Sequence, residues 1–213
     1  MADDDRIINE DFLEKLVNIY APTGAEEPAQ RVYREYLKDI AESIDTDVMG
    51  NVSAVLNPEG SPKIMLAGHC DEVGFQIRYI DDNGFIYVSS LGGVDSHIVP
   101  GHRVKILTNK GEVWGIIGRK AIHLVKPDER KKVTPLKDQY VDIGVNSKEE
   151  VEKLGVRIGD PIVFTQSYMK LGEAGVVASR CFDDRIAVFI IAEILRTLKN
   201  ETIDAAIFGV STV

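Results

Sequence analysis

Cysteine is scarce in this 213-residue chain: only Cys70 and Cys181 occur, and they form no Cys-x-x-Cys pair. The sequence leaves a disulfide between them open, but an intracellular chain with reduced thiols is the favoured reading. Basic charge is also short. Against 34 acidic residues stand 25 lysines and arginines, for a net charge of -9 and a pI near 5.0. The basic face that nucleic acid needs is therefore missing. No apolar run approaches the roughly 18 to 20 residues of a membrane span. The start, Met1-Ala2-Asp3-Asp4-Asp5, is acidic, where a signal peptide would be basic and then apolar. Internal repeats and low-complexity tracts are absent too. These absences predict a cytoplasmic protein with neither nucleic acid nor membrane as partner. What is present is 44% hydrophobic residues, enough to bury one large domain or two small ones.

The first segment reads as helical. Asn9 is placed to cap a helix whose Phe12, Leu16, Ile19 and Tyr20 share a face, ending before Pro22. Thr23-Gly24-Ala25-Glu26 has the form of a capping box, and Ala29, Tyr33, Leu37, Ile40 and Ile44 follow at helical spacing. Residues 52–56 and 63–67 read as strands around an Asn57-Pro58-Glu59-Gly60 turn, with Ile64-Met65-Leu66 as a buried stretch. Beyond residue 74 the pattern changes to short strands. Phe75, Ile77 and Tyr79 alternate with polar residues and turn at Asp81-Asp82-Asn83-Gly84 into residues 85–88, and 104–107 meets 113–117 across Asn109-Lys110-Gly111. Strands at 141–145 and 161–165 flank a small helix capped by Ser147 with Glu150. After Gly175 comes an apolar helix carrying Ile186, Phe189, Ile190, Ile194, Leu195 and Leu198, then a strand at 205–210. The expected plan is a discontinuous α/β domain (1–73 and 173–213) interrupted by an all-β domain (74–172), a barrel or sandwich.

The chemistry concentrates in two places. In Ala67-Gly68-His69-Cys70-Asp71-Glu72-Val73-Gly74, His69 and Asp71 point the same way from an extended chain, because strand side chains alternate with period two. His69 can then bind a metal while Asp71 orients it. An isolated His-x-Asp is more often structural, but the carboxyl end of a strand is where open α/β sheets hold ligands. Asp183-Asp184-Arg185 opens the apolar helix; its ordinary alternative is a pair of acids favoured by the helix dipole. Cys70 should face away from His69 and Asp71, as a packed core thiol. Trp114 reads as core or interface, and Arg130-Lys131-Lys132 as a solvated loop.

Several motifs together carry a resemblance. They are Ala21-Pro22-Thr23-Gly24, residues 68–74 above, Gly92-Gly93, Pro100-Gly101-His102-Arg103-Val104, Pro127-Asp128-Glu129-Arg130, and Ser179-Arg180-Cys181-Phe182-Asp183-Asp184-Arg185. Along its length the chain resembles the tetrahedral, glutamyl and deblocking aminopeptidases, cytosolic dinuclear-metal exopeptidases also known as endoglucanase-like proteins. The resemblance implies a metallopeptidase-type α/β sandwich, incomplete here, with an inserted all-β barrel-like dimerisation domain. It implies two divalent ions per complete subunit, zinc or cobalt, with His69 a ligand of one and Asp183 bridging both. Asp71 would be the catalytic aspartate that orients His69 or the catalytic Glu, and Asp184 a supporting partner behind the ligands. Peptides would be the substrates, and dimers would build a dodecamer. Two cations sharing a carboxylate can polarise a peptide carbonyl, and imidazole suits zinc or cobalt.

The same resemblance asks for a general-base Glu, an adjacent Glu ligand, a further acid and a second His. The paired glutamates would follow a strand like Phe208-Gly209-Val210-Ser211-Thr212-Val213. His97, His102 and His123 fall in the β domain and do not replace the missing donors. The sequence alone thus predicts a truncated or split copy of an aminopeptidase that is inactive by itself. Residues 205–213 are expected to be disordered or to expose apolar surface. The alternatives are a non-catalytic assembly module and a metal-dependent deacylase on the same scaffold. A glycosidase is disfavoured, because no carboxylate pair at glycosidase spacing stands out.

Overall fold

The structure is a computed structural model that describes residues 8–213; the acidic start at Met1 to Asp5 lies outside the described residues. It divides into two compact units, residues 1–72 with 166–213 and residues 73–165. The second crossing therefore falls at 165/166, against the expected 172/173. The displaced residues, 166–172, belong with the first unit because β10 (Met169–Leu171) pairs antiparallel with β11 (Val176–Ala178), and the Tyr168 amide donates to Asn18 Oδ1.

In the first unit, α1 (Glu10–Asn18) begins where Asn9 Oδ1 accepts from the Phe12 amide, and buries Phe12, Leu13, Leu16 and Val17. Next, α2 spans Glu27–Leu37, with Pro28 in its first turn, where a missing amide costs nothing. The expected capping box does not form: the cap is Glu26, with no side-chain bond, and Thr23 is engaged elsewhere. Helical spacing also overran the true end. The helix stops at Leu37, and Ile44 sits in β1 (Ser43–Thr46), paired with Ala54 of β2 (Val52–Leu56).

The sheet runs β1-β2-β12-β3, where β3 is Lys63–His69 and β12 is Ala206–Thr212. β12 is antiparallel to β2 and parallel to β3, with Thr212 opposite His69. Residues 205–213 are therefore not disordered, since β12 is an interior strand hydrogen-bonded on both sides. Conversely, β3 is an edge strand. Ile64 and Met65, expected to be buried, are exposed because no described strand pairs along the far side of β3. α4 (Phe182–Leu198) turns Val188, Phe189, Ile191, Ala192 and Leu195 inward but leaves Ile190 half exposed. Gly209 lets the helices onto the sheet: a Cβ there would lie 2.6 Å from Leu195 and 3.0 Å from the Tyr33 hydroxyl. α2 and α4 thus cover the same face of β12.

The second unit is a closed barrel in the order β4-β5-β8-β7-β6-β9. Its strands are β4 (Gly74–Ile80), β5 (Ile86–Leu91), β6 (Arg103–Thr108), β7 (Gly111–Arg119), β8 (Gln139–Asp142) and β9 (Pro161–Phe164). Closure leaves no unpaired edge, and alternation sends Phe75, Ile77, Ile86, Val88, Val104, Ile106, Val141 and Ile162 into the core. The β4–β5 turn is held by Asp81 Oδ1, which accepts from the amides of Asn83 and Phe85, with Gly84 at φ +86°. Ser147 caps the small helix α3 (Lys148–Lys153) as expected, while Glu150 reaches back to the Asn146 amide. Trp114 is not core: it lies on the outside of the barrel, 57% exposed, with Lys105 Nζ 4.7 Å above its ring.

Candidate metal centre

His69 ends β3, and the ladder continues one step past it, with the Cys70 amide donating to Thr212 O. The chain then runs beside the α1–α2 connection: Glu72 N–H donates to Ala21 O and Thr23 N–H to Glu72 O. This places Asp71 beside His69 and Thr23. His69 Nδ1 lies 2.7 Å from Asp71 Oδ1, and the Thr23 hydroxyl donates to Asp71 Oδ2 at 2.5 Å. With Nδ1 engaged, Nε2 faces Asp183, whose Oδ1 is 3.3 Å away on a side chain 98% exposed. The sequence pairing of His69, Asp71 and Asp183 is therefore met in space.

Asp183 and Asp184 open α4 without taking up its helical turn. Both have non-helical backbone angles, following Cys181 at φ +66°. Asp184 stands behind the site against β3. A Cβ on Gly68 would lie 3.2 Å from Asp184 Oδ2 and 2.8 Å from Ala187 Cβ, so only glycine lets the start of α4 come this close.

Beneath these groups lies a buried ion network that the sequence reading passed over. Arg185 is fully buried. It donates to the carbonyls of Cys70 (2.6 Å), Leu16 (3.0 Å), Ile19 (2.6 Å) and Ala21 (3.4 Å), and to Glu72 Oε1 (3.3 Å). Arg180 donates to Glu72 Oε2 and to the Asn18 and Ile19 carbonyls, and stacks over Tyr20. Glu72 also accepts from the Ala21 amide and the Cys181 thiol. Two guanidinium groups thus satisfy the carbonyls left open at the C-terminus of α1 and sit at its negative end. The available signal was one acid, Glu72, in the first site motif and two bases, Arg180 and Arg185, in the second. Burial pushes the Cys70 thiol up to about 11 and that of Cys181 up to about 12. Cys70 is the packed core thiol expected.

The donors fit a cation in part. Two donors 3.3 Å apart, each about 2.0–2.2 Å from a shared ion, subtend about 100°, close to the tetrahedral angle zinc favours. Among the described residues, no group of three or more His, Cys, Asp or Glu side chains converges on one point. His97, His102 and His123 all lie in the barrel unit.

Residues 50–213 match the family model of the M42 glutamyl aminopeptidases. The chain belongs to that family. Among its relatives, the lysyl aminopeptidase of Pyrococcus furiosus is 30% identical over 201 residues, covering 93% of this chain and 57% of the relative. Of solved structures, the TET aminopeptidase from the marine sediment archaeon Thaumarchaeota archaeon SCGC AB-539-E09 superposes with a TM-score of 0.92 at 35% identity, covering 96% of this chain and 58% of that one. The Pyrococcus horikoshii TET1 peptidase, described as able to assemble into a tetrahedron or a large octahedral shell, gives 0.85 at 30% identity over 96% and 60%. The chain thus spans a little under three fifths of the length of the first curated relatives it matches.

Proposed function

We propose that residues 1–213 form the His69–Asp183 side of a dinuclear aminopeptidase centre that removes N-terminal residues from peptides. The observation that carries this reading is His69 held by Asp71 with its free nitrogen facing Asp183, in a member of an aminopeptidase family. His69 would ligate one divalent ion, zinc or cobalt. Asp183 would bridge to a second, whose remaining donors residues 8–213 do not bring together. When bound, such a pair polarises a peptide carbonyl and makes water nucleophilic at neutral pH. The chain's own residues set that up: Asp71 fixes the imidazole, Asp184 backs the turn, and the Glu72–Arg185 pair holds the two loops together. Glu72 is not a general base on this reading, because both arginines bind its carboxylate.

Self-association through the barrel, and assembly like that described for the P. horikoshii peptidase, belong to the same proposal. The exposed Trp114 and Ile116 on β7 support it. A second helical layer completing the sandwich on the other face of the sheet, and a cytoplasmic setting, belong to the proposal as well; the two free cysteines support the latter. No helix among the described residues is long and apolar enough to cross a membrane. That no three such donors converge among the described residues favours a second statement: these residues alone do not hydrolyse peptides.

A chimera tests the proposal. Residues 8–213 replace the aligned 58% of the thaumarchaeal enzyme. The expected product cleaves aminoacyl anilides, is stopped by chelator, ignores N-acetylated peptides, and loses activity with His69→Ala or Asp183→Asn. A chimera that folds but stays inactive, or one indifferent to chelator, would overturn it.

A further inference from the structure

We infer that Thr23 is a positioning residue for His69: its hydroxyl fixes the Asp71 carboxylate, and through it the imidazole tautomer that presents Nε2 to the metal centre. The inference deepens the aminopeptidase reading and rests on it for the word metal alone.

Locally, Thr23 has another role open to it. Thr23-Gly24-Ala25-Glu26 has the sequence of a capping box, in which the threonine hydroxyl would accept from the amide three residues on. The structure does not use it so. The cap of α2 is Glu26, no side chain bonds there, and Glu26 Oε1 instead accepts from the Gly24 amide. The Thr23 hydroxyl reaches across 48 positions to Asp71. A good local bond is given up for a distant one.

The distant bond is held from both sides. Pro22 forms a parallel bridge with Glu72, the Thr23 amide donates to Glu72 O, and the Ala21 amide donates to the buried Glu72 carboxylate. Thr23 therefore cannot drift relative to Asp71 without breaking these contacts.

The chemistry needs such a donor. The terminal torsion of an aspartate is broad and roughly two-fold, so a carboxylate held by one bond swings. In this site one oxygen takes His69 Nδ1 and the other takes the Thr23 hydroxyl. With the carboxylate fixed, Nδ1 keeps the proton and the lone pair stays on Nε2, facing Asp183. Thr23 itself is exposed, so replacing it leaves the core untouched.

The test compares wild type, Thr23→Val, which keeps the shape without the hydroxyl, and Thr23→Ser, which restores it. Imidazole ¹⁵N shifts of His69, assigned with His69→Ala, are recorded on metal-free chain at about pH 8.5, well above the reference value for imidazole in model peptides. Wild type and Thr23→Ser should carry the proton on Nδ1, and Thr23→Val should lose about half or more of that population. Urea midpoints of all three should coincide. Zinc alone, titrated against a chelator, should bind Thr23→Val on the order of ten-fold more weakly, with Thr23→Ser near wild type. An unchanged tautomer in Thr23→Val, or a Thr23→Ser shift as large as that of Thr23→Val, overturns the inference. If wild type takes up no zinc through His69, the donors present here do not hold a cation by themselves, and the tautomer measurement alone decides the role of Thr23.

Discussion

Replacing Arg185 by methionine, which keeps the length of the side chain and removes the guanidinium, is the sharpest test of how the centre is built. The loss has two parts. Glu72, only 3% exposed at its side chain, loses one of two cationic partners, and removing one member of a buried pair costs about 3–5 kcal/mol. Four backbone carbonyls also lose a donor, at roughly 1 kcal/mol or more for each that water cannot reach. A destabilisation of at least about 4 kcal/mol follows, a large fraction of the 5–15 kcal/mol that holds a typical domain. An exposed pair sets the contrast. Arg34 with Glu27 lies on the surface of α2, and Arg34→Ala should cost no more than about 1 kcal/mol. Urea unfolding followed by far-ultraviolet circular dichroism reports on this unit, because α1, α2 and α4 all belong to it. A cost below about 1 kcal/mol for Arg185→Met would refute the view that the guanidinium ties α1 to the two site loops.

Two further outcomes are expected. With the Cys70 thiol raised to about 11, its thiolate fraction near pH 8 is about two-hundred-fold below that of an unperturbed cysteine, so iodoacetamide should label it rapidly only after unfolding; rapid labelling of the folded chain would contradict its placement. Burial acts to raise the Glu193 pKa, but bonds from Arg196, Tyr36 and the Asn9 amide outweigh it and leave the group below its ordinary value. A depressed carboxylate stabilises the fold above its unfolded pKa, about 4.3, and loses that contribution as pH falls through its folded value. The advantage of wild type over Glu193→Gln should therefore be full at neutral pH and vanish in acid, and an advantage that grew on acidification would reverse the sign.

The parts of the fold that were legible in the sequence are those fixed by near neighbours. The Asn9 cap, the hairpin turn at residues 81–84 and the alternation through the barrel strands each depend on contacts a few residues apart. Partner choice within the sheet was not legible. Ile64-Met65-Leu66 reads as a buried strand, yet β3 takes an edge position, because whether an apolar strand is flanked on one side or two depends on chain far away. The same holds for residues 205–213, whose order comes from β2 and β3 on either side. Ile44 fell at helical spacing by coincidence; its pairing with Ala54 decides its conformation.

In the site, the period of two that put His69 and Asp71 on one side also put Cys70 and Glu72 on the other, and this second half of the pattern was the less readable. Nothing in the sequence gives the glutamate beside Asp71 a partner until Arg180 and Arg185, more than a hundred positions on, are seen to reach it. Such a pair is weak evidence for stability in itself, since well-packed apolar groups in its place are often as stable or more so. Its value lies in direction. Arg185 donates at once to Cys70 O, between His69 and Asp71, and to the end of α1, while belonging to the helix that begins at the Asp183–Asp184 turn. An apolar replacement could fill the same volume, but nothing in it would fix how far that turn stands from β3. What those few donors fix is the backbone of the turn from which Asp183 faces His69.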